Sequence, residues 1–183
     1  MSEQEVQWSD DEGDESTYMW LEGDSLAPPC QSEYDVVYDI LRFAKVTSSD
    51  VVFDLGCGDG RICIAAARKF GASAVGVEIE DHLIQKFQQK ITRYALEDRV
   101  HVRHGDLMET DLSRATVIVT YLLPEALVML TDKLKACLDR GCRIVSNSWH
   151  IPGMDAQAKI NVGPFNNVPL FLYVNDPLDT TPN

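Results

Sequence analysis

The segment Val51-Val-Phe-Asp-Leu-Gly-Cys-Gly-Asp-Gly60 restricts the possible folds more than any other stretch of the chain. The run Val51–Phe53 has no polar face, as expected of a strand covered on both sides within a parallel sheet. Glycines at alternate positions then permit positive φ and let the backbone approach a ligand closely. A helical pattern follows directly, and a helix amino terminus offers unpaired N–H groups to a polar or anionic group. A strand, a glycine turn and a helix in this order describe a nucleotide-like cofactor loop on a layered α/β fold.

The rest of the chain repeats the alternation. Ser32 is placed to cap a helix over about residues 33–44, with Val36, Val37, Ile40, Leu41 and Phe43 on or near one stripe. Ser48–Asp50 is a turn. Asp59–Phe70 reads as a helix ended by Gly71, Ala74–Val77 as a second strand, and His82–Tyr94 as a helix carrying Ile84, Phe87, Ile91 and Tyr94. Strands at Val100–Val102 and Ala115–Thr120 come next. Pro124 suits the first turn of a helix whose buried face is Leu127, Leu130, Leu134 and Leu138, closed by Gly141. Cys142–Ser146 is a fifth strand, and Pro169–Val174 a last one, paired antiparallel with a weaker strand near Ala158–Val162. The expected architecture is a three-layer, Rossmann-like α/β fold, with a mostly parallel seven-stranded sheet and an antiparallel terminal hairpin. Right-handed crossovers then place a ligand outside the carboxyl ends of the strands, where strand order reverses.

Two carboxylates flank that place. Asp54 stands two residues before the first glycine, and Glu78 lies at the end of the second strand, where a carboxylate can accept hydrogen bonds from ribose hydroxyls. The dinucleotide fingerprint is not met, since its third glycine falls on Arg61. Asp54 would also repel a pyrophosphate, yet it suits a ligand with a cationic amine.

Asp54-Leu-Gly-Cys-Gly-Asp-Gly60 resembles the first motif of class I S-adenosylmethionine-dependent methyltransferases. The resemblance implies that Asp54, Gly56, Cys57, Gly58 and Gly60 wrap the methionine moiety of S-adenosylmethionine, with Asp54 beside its amino group. Glu78 then holds the ribose, Asp106 and Leu107 lie near the adenine, and Tyr121-Leu-Leu-Pro124 takes the place of the catalytic or substrate-facing motif. The product is S-adenosylhomocysteine. Residues 28–150 carry this likeness. Pro28 and Pro29 before a helix, Asp59-Gly-Arg-Ile62 and Tyr121-Leu-Leu-Pro124 are similar more closely to small protein-lysine methyltransferases, the non-SET histone-lysine and mitochondrial lysine-methylating enzymes. Tyr121-Leu-Leu-Pro124 is not the Asn/Asp-Pro-Pro-Tyr motif of enzymes that methylate amides and nucleobase amines. The carboxyl end is also short, so the last helix before the terminal hairpin is reduced or absent.

Methyl transfer from a sulfonium is an in-line substitution, so alignment supplies much of the rate and no general base is required. A cleft floored by apolar side chains favours the neutral lysine amine, by desolvation. Tyr121 and Trp149 are the expected catalytic, amine-orienting residues, with Tyr121 also touching cofactor. Asp106 has a simple turn as its competing reading, and Glu78 a helix cap. Arg61 either reaches substrate or pairs with a carboxylate, and Asp59 is placed to accept a helix N–H. His150 is a weaker candidate base because no carboxylate partner can be placed beside it. Tyr18 and Trp20 either fold across the cofactor site or cover the core. No metal ligand set stands out, so no metal is expected.

Charge bears on the acceptor. The chain has 29 acidic against 16 basic side chains. Nine of the acidic ones fall within Met1–Asp24, which has no Lys or Arg. Such an arm, poor in aliphatic residues, cannot offset its ordering entropy and is expected to be disordered, ahead of a single domain over residues 25–183. The net charge of −13 argues against a nucleic-acid partner and for a cationic protein or peptide, although Arg93, Arg99 and Arg103 could form a local basic patch. Cys30, Cys57, Cys63, Cys137 and Cys142 contain no CxxC unit and suggest free thiols in a reducing compartment, the cytoplasm or nucleus, with mitochondria left open. The apolar runs are too short for membrane insertion. Oligomeric state is not readable. Three other functions stay open: methylation of a small molecule, a non-catalytic cofactor-binding partner of another methyltransferase, and a nicotinamide-dependent oxidoreductase, which Arg61 disfavours.

Overall fold

The computed structural model describes residues 32–175. The acidic arm, Tyr18, Trp20, Pro28, Pro29 and Cys30 lie outside the described residues. Helix α1 spans Tyr34–Phe43 and buries Val36, Val37, Ile40 and Leu41 of the expected stripe, with Phe43 half-buried at its end. Its capping residue is Glu33, which makes no side-chain cap. Ser32 does not cap the helix; its hydroxyl is 3.0 Å from the amide nitrogen of Asn147, from which it accepts a hydrogen bond.

Strand β1, Val51–Leu55, leads to helix α2, Arg61–Phe70. This helix starts two residues later than the pattern suggested, because Gly60 at its cap takes φ 83° and its N–H closes a turn onto the Cys57 carbonyl. Gly71 ends α2 in the left-handed region, as expected. Strand β2 (Ser73–Glu78), helix α3 (Asp81–Arg93) and strand β3 (Val100–His104) follow. Strand β4, Val117–Thr120, is shorter than expected, since the Ala115 N–H turns back onto the Leu112 carbonyl. Helix α4, Pro124–Asp139, begins on its proline. Strand β5 (Arg143–Asn147) and the hairpin of β6 (Ala158–Val162) and β7 (Val168–Tyr173) complete the chain, with no helix between β5 and the hairpin.

One seven-stranded sheet has the order β3-β2-β1-β4-β5-β7-β6. Strands β3 to β5 are parallel, and β7 runs antiparallel to both β5 and β6. Side-chain alternation sends Val52 to one face, into a core with α1, α2 and Phe87 and Ile91 of α3. Phe53 and Leu55 go to the other face, packed with Leu127, Leu130 and Leu134 of α4. Each of these leucines is fully buried, which contributes about 1.5–3 kcal/mol. The order reverses between β1 and β4. The crevice at their carboxyl ends is therefore where a ligand belongs.

Candidate active site

The glycine loop leaves β1 at that reversal. Gly56, Gly58 and Gly60 have φ of 77°, 55° and 83°. Both Gly56 and Cys57 donate their N–H groups to the Val77 carbonyl at 3.0 Å, which folds the loop over the end of β2. The glycines serve different ends. A Cβ on Gly60 would stand 2.0 Å from the Phe87 ring, so this position is needed for packing. A Cβ on Gly58 would meet nothing within 4 Å, so its bare backbone faces open space. Cys57 turns its side chain inward, where a Cβ on Gly76 would meet its sulfur at 2.5 Å. Burial pushes the Cys57 thiol up, so only its main chain is suited to meet a cofactor.

Glu78 closes the floor. Its Oε2 accepts the Gly58 N–H at 2.9 Å, and its Oε1 accepts those of Ile79 at 2.8 Å and Glu80 at 3.1 Å. The helix-cap reading of Glu78 is thus partly realised just ahead of α3, and a carboxylate still has room for another donor. Asp59 does not accept a helix N–H; its carboxylate takes Lys90 Nζ at 2.7 Å and Arg61 Nε at 3.3 Å. Arg61 also donates to the Ser32 carbonyl at 3.1 Å and lies 5.1 Å from the Tyr34 ring centroid. These contacts tie α2 to α1, in line with the pairing reading of Arg61.

Asp54 differs from both. It is buried, yet its carboxylate accepts no hydrogen bond among the described residues and its oxygens keep a small contact with solvent. Burial first, then the neighbouring charges of Glu78 and Asp59, push its carboxyl up to about 8. An unpartnered buried acid beside an open glycine fits a ligand that brings its own cationic amine.

Asp106 lies at the mouth, exposed, with Oδ1 accepting the Met108 N–H at 2.8 Å, so its turn-forming reading is realised. Leu107 is buried, and its carbonyl and that of Met108 accept Lys133 Nζ at 3.0 and 2.8 Å. Tyr121 and Trp149, half-buried, stack with centroids 5.8 Å apart and planes 20° apart. His150 is exposed and edge-on to Phe171, without a carboxylate partner among the described residues. Arg99 donates to the Gly71 carbonyl and Arg103 to that of Asp111, while Arg93 lies over the Tyr94 ring.

Sequence reasoning missed the polar residues beneath the aromatic pair. Thr120, Ser146 and Asn147 are buried at the carboxyl ends of β4 and β5. The signal was there: Ser146-Asn-Ser148 interrupts an apolar strand on the ligand-binding edge of the sheet.

This fold and this crevice are those of a class I, Rossmann-like S-adenosylmethionine-dependent methyltransferase. Residues 54–158 match the family described as the ANTKMT methyltransferase domain, and the chain belongs to that family. It is 41% identical over 141 residues to a protein-lysine N-methyltransferase of Saccharolobus islandicus (strain REY15A), covering 76% of this chain and 88% of that protein. Among solved structures it is similar to an RNA methyltransferase from Salinibacter ruber in complex with S-adenosyl-L-homocysteine. The TM-score is 0.74 and the identity 33%, over 80% of this chain and 95% of the other. A ribosomal protein L11 methyltransferase of Alkaliphilus metalliredigens (strain QYMF) is 34% identical over 89 residues, 49% of this chain and 28% of that protein.

Proposed function

We propose that this enzyme transfers a methyl group from S-adenosylmethionine to the side-chain amine of a protein lysine. The observation that carries this reading is the 41% identity, across 88% of its length, with the Saccharolobus islandicus protein-lysine N-methyltransferase. The site agrees with it. Asp54 is the residue to face the cofactor's amino group and Glu78 its ribose hydroxyls, with the main chain at Gly56–Gly58 beneath. Asp106, Leu107 and Tyr121 line the outer end. The bound cofactor supplies the electrophilic methyl on a sulfonium.

The chain's own residues have three tasks: to exclude water, to accept the amine and to aim it. Tyr121 and Trp149, stacked as one wall, give the amine an apolar surface whose desolvation favours its neutral form. The proton leaves for solvent before transfer. With the cofactor held at Asp54 and Glu78, the wall would aim the amine lone pair at its methyl group, so that a carbon–nitrogen bond would form as the carbon–sulfur bond breaks and S-adenosylhomocysteine leaves. No side chain has to act as base.

RNA as acceptor has one observation in its favour, the likeness to the Salinibacter ruber RNA methyltransferase. The formal charge of −13 opposes it. The deciding experiment supplies methyl-labelled S-adenosylmethionine with a pool of lysine-rich polypeptides or with RNA, using Glu78→Ala as control. Label on lysine Nζ by mass spectrometry, absent in the control, is expected. Label in RNA alone would overturn the acceptor.

A further inference from the structure

We propose that Ser146 is a positioning residue for methyl transfer, fixing through the Trp149 main chain the aromatic wall that Trp149 forms with Tyr121. The inference rests on the lysine-methylating reading and adds to it the device that aims the acceptor. In the β4–β5 ladder Thr120 stands opposite Ser146, and both are fully buried. The Thr120 hydroxyl donates to Ser146 Oγ at 3.1 Å, and the Ser146 hydroxyl donates to the Trp149 carbonyl at 2.6 Å. Tyr121 follows Thr120 directly. A two-hydroxyl relay therefore joins the ends of the two strands that present the stacked rings.

The backbone between Ser146 and Trp149 makes this relay more than a satisfied pair of core hydroxyls. The Trp149 N–H donates to the Asn147 carbonyl at 2.9 Å, closing a three-residue turn with Ser148 at φ 68°. A residue with a Cβ keeps that conformation only where its surroundings over-determine it, and such strain collects at functional sites. Here the Ser148 N–H donates to the Pro169 carbonyl, and its hydroxyl donates to the side-chain oxygen of Asn147. Asn147 in turn donates to Ser32 Oγ. Past the turn, the Ile151 N–H donates to Tyr173 Oη at 2.7 Å. Residues 147, 148 and 151 are thus held by β7 and by Ser32 just ahead of α1, whereas the Trp149 carbonyl is held by Ser146. That hydroxyl sets the tilt of the Trp149 peptide, and with it the direction of the ring. In-line transfer is steep in alignment, so a small tilt of the Trp149 ring costs turnover while leaving the cofactor's own contacts at Asp54, Glu78 and Tyr121 intact.

The test compares Ser146→Ala, Trp149→Ala and the double variant, with calorimetry for S-adenosylhomocysteine and turnover on the lysine-rich polypeptide pool. Expected for Ser146→Ala is cofactor affinity within about twofold of the parent and kcat lower by about tenfold or more. In the Trp149→Ala background, Ser146→Ala should change kcat by less than about twofold, because the wall it aims is gone. Ser146→Cys, close in shape and a weak donor, reads the same loss if the alanine variant does not fold. Unchanged kcat, a parallel fall in cofactor affinity, or multiplicative losses in the double variant overturn the positioning role. A parent protein that labels no lysine overturns the function itself and this inference with it.

Discussion

At the residue scale, Asp54 sets a conflict between stability and binding. Its carboxyl is raised from 3.8 to about 8, so between these values the folded state holds a proton that the unfolded state has lost. The stabilisation is complete below pH 4 and is lost as pH rises through about 8. Asp54→Asn removes the dependence, and its melting temperature should exceed the parent's by a margin that grows over this window and then levels off. Binding runs the opposite way, because a cationic ligand requires the carboxylate. S-adenosylmethionine affinity should therefore rise with pH until about 8, with net proton release on binding at neutral pH. Calorimetry in buffers of different ionisation enthalpy measures that release. Proton-neutral binding at pH 7 would rule out Asp54 as the amine's partner.

The glycine loop belongs to the element scale, because three similar residues do different work within one turn. Gly60→Ala places a methyl 2.0 Å from the Phe87 ring at φ 83° and should cost about 3 kcal/mol in denaturant unfolding. Gly58→Ala has open space, so it pays only the left-handed conformation, about 1 kcal/mol. Gly58 belongs to the loop that is to carry the cofactor, however, and cofactor affinity should fall while the fold survives. Equal stability losses at the two positions would show that both glycines are needed only for the turn. From the sequence the three glycines looked alike, since their spacing predicts positive φ but not what stands opposite. That distinction comes from Phe87, on a helix more than twenty residues away.

Across the whole molecule, a second ionic cluster locks the opposite end of the sheet. The buried Asp50 carboxylate accepts from the Thr47 N–H at 2.8 Å, the Thr116 hydroxyl at 2.7 Å and the Arg143 guanidinium. Arg143 also donates to the carbonyls of Ala44 and Lys45. One carboxylate thereby joins the ends of α1, β1, β4 and β5. Burial alone would raise its pKa, but the bonds from Thr116, Thr47 and Arg143 together hold it below 3.8. A depressed carboxylate stabilises fully above its unfolded value and loses that contribution as pH falls through the folded one. Asp50→Asn should therefore cost about 2–3 kcal/mol at pH 7, with the gap to the parent closing below pH 4. Turnover per folded molecule should not change, because this cluster lies at the foot of the sheet, away from the crevice. Acid titration of both proteins by circular dichroism checks the sign.

The strands and helices, the parallel core, the terminal hairpin and the cofactor crevice were legible in the chain itself. Each follows from a local cause: period in the apolar residues, a proline that can begin a helix, glycines that can take positive φ. Asp54 and Glu78 were legible for the same reason, since strand ends fix where they stand. Tertiary structure alone decided how the polar groups are paired. Ser32 went to Asn147 rather than to its own helix, and Asp59 to Lys90 and Arg61. Asp54 was left without a hydrogen bond among the described residues, and Thr120, Ser146 and Trp149 were joined across two strands. Apolar burial is non-directional and is satisfied by any partner on the correct face, so its pattern shows in the sequence. A hydrogen bond demands a particular donor at about 3 Å, and that donor can come from anywhere in the chain.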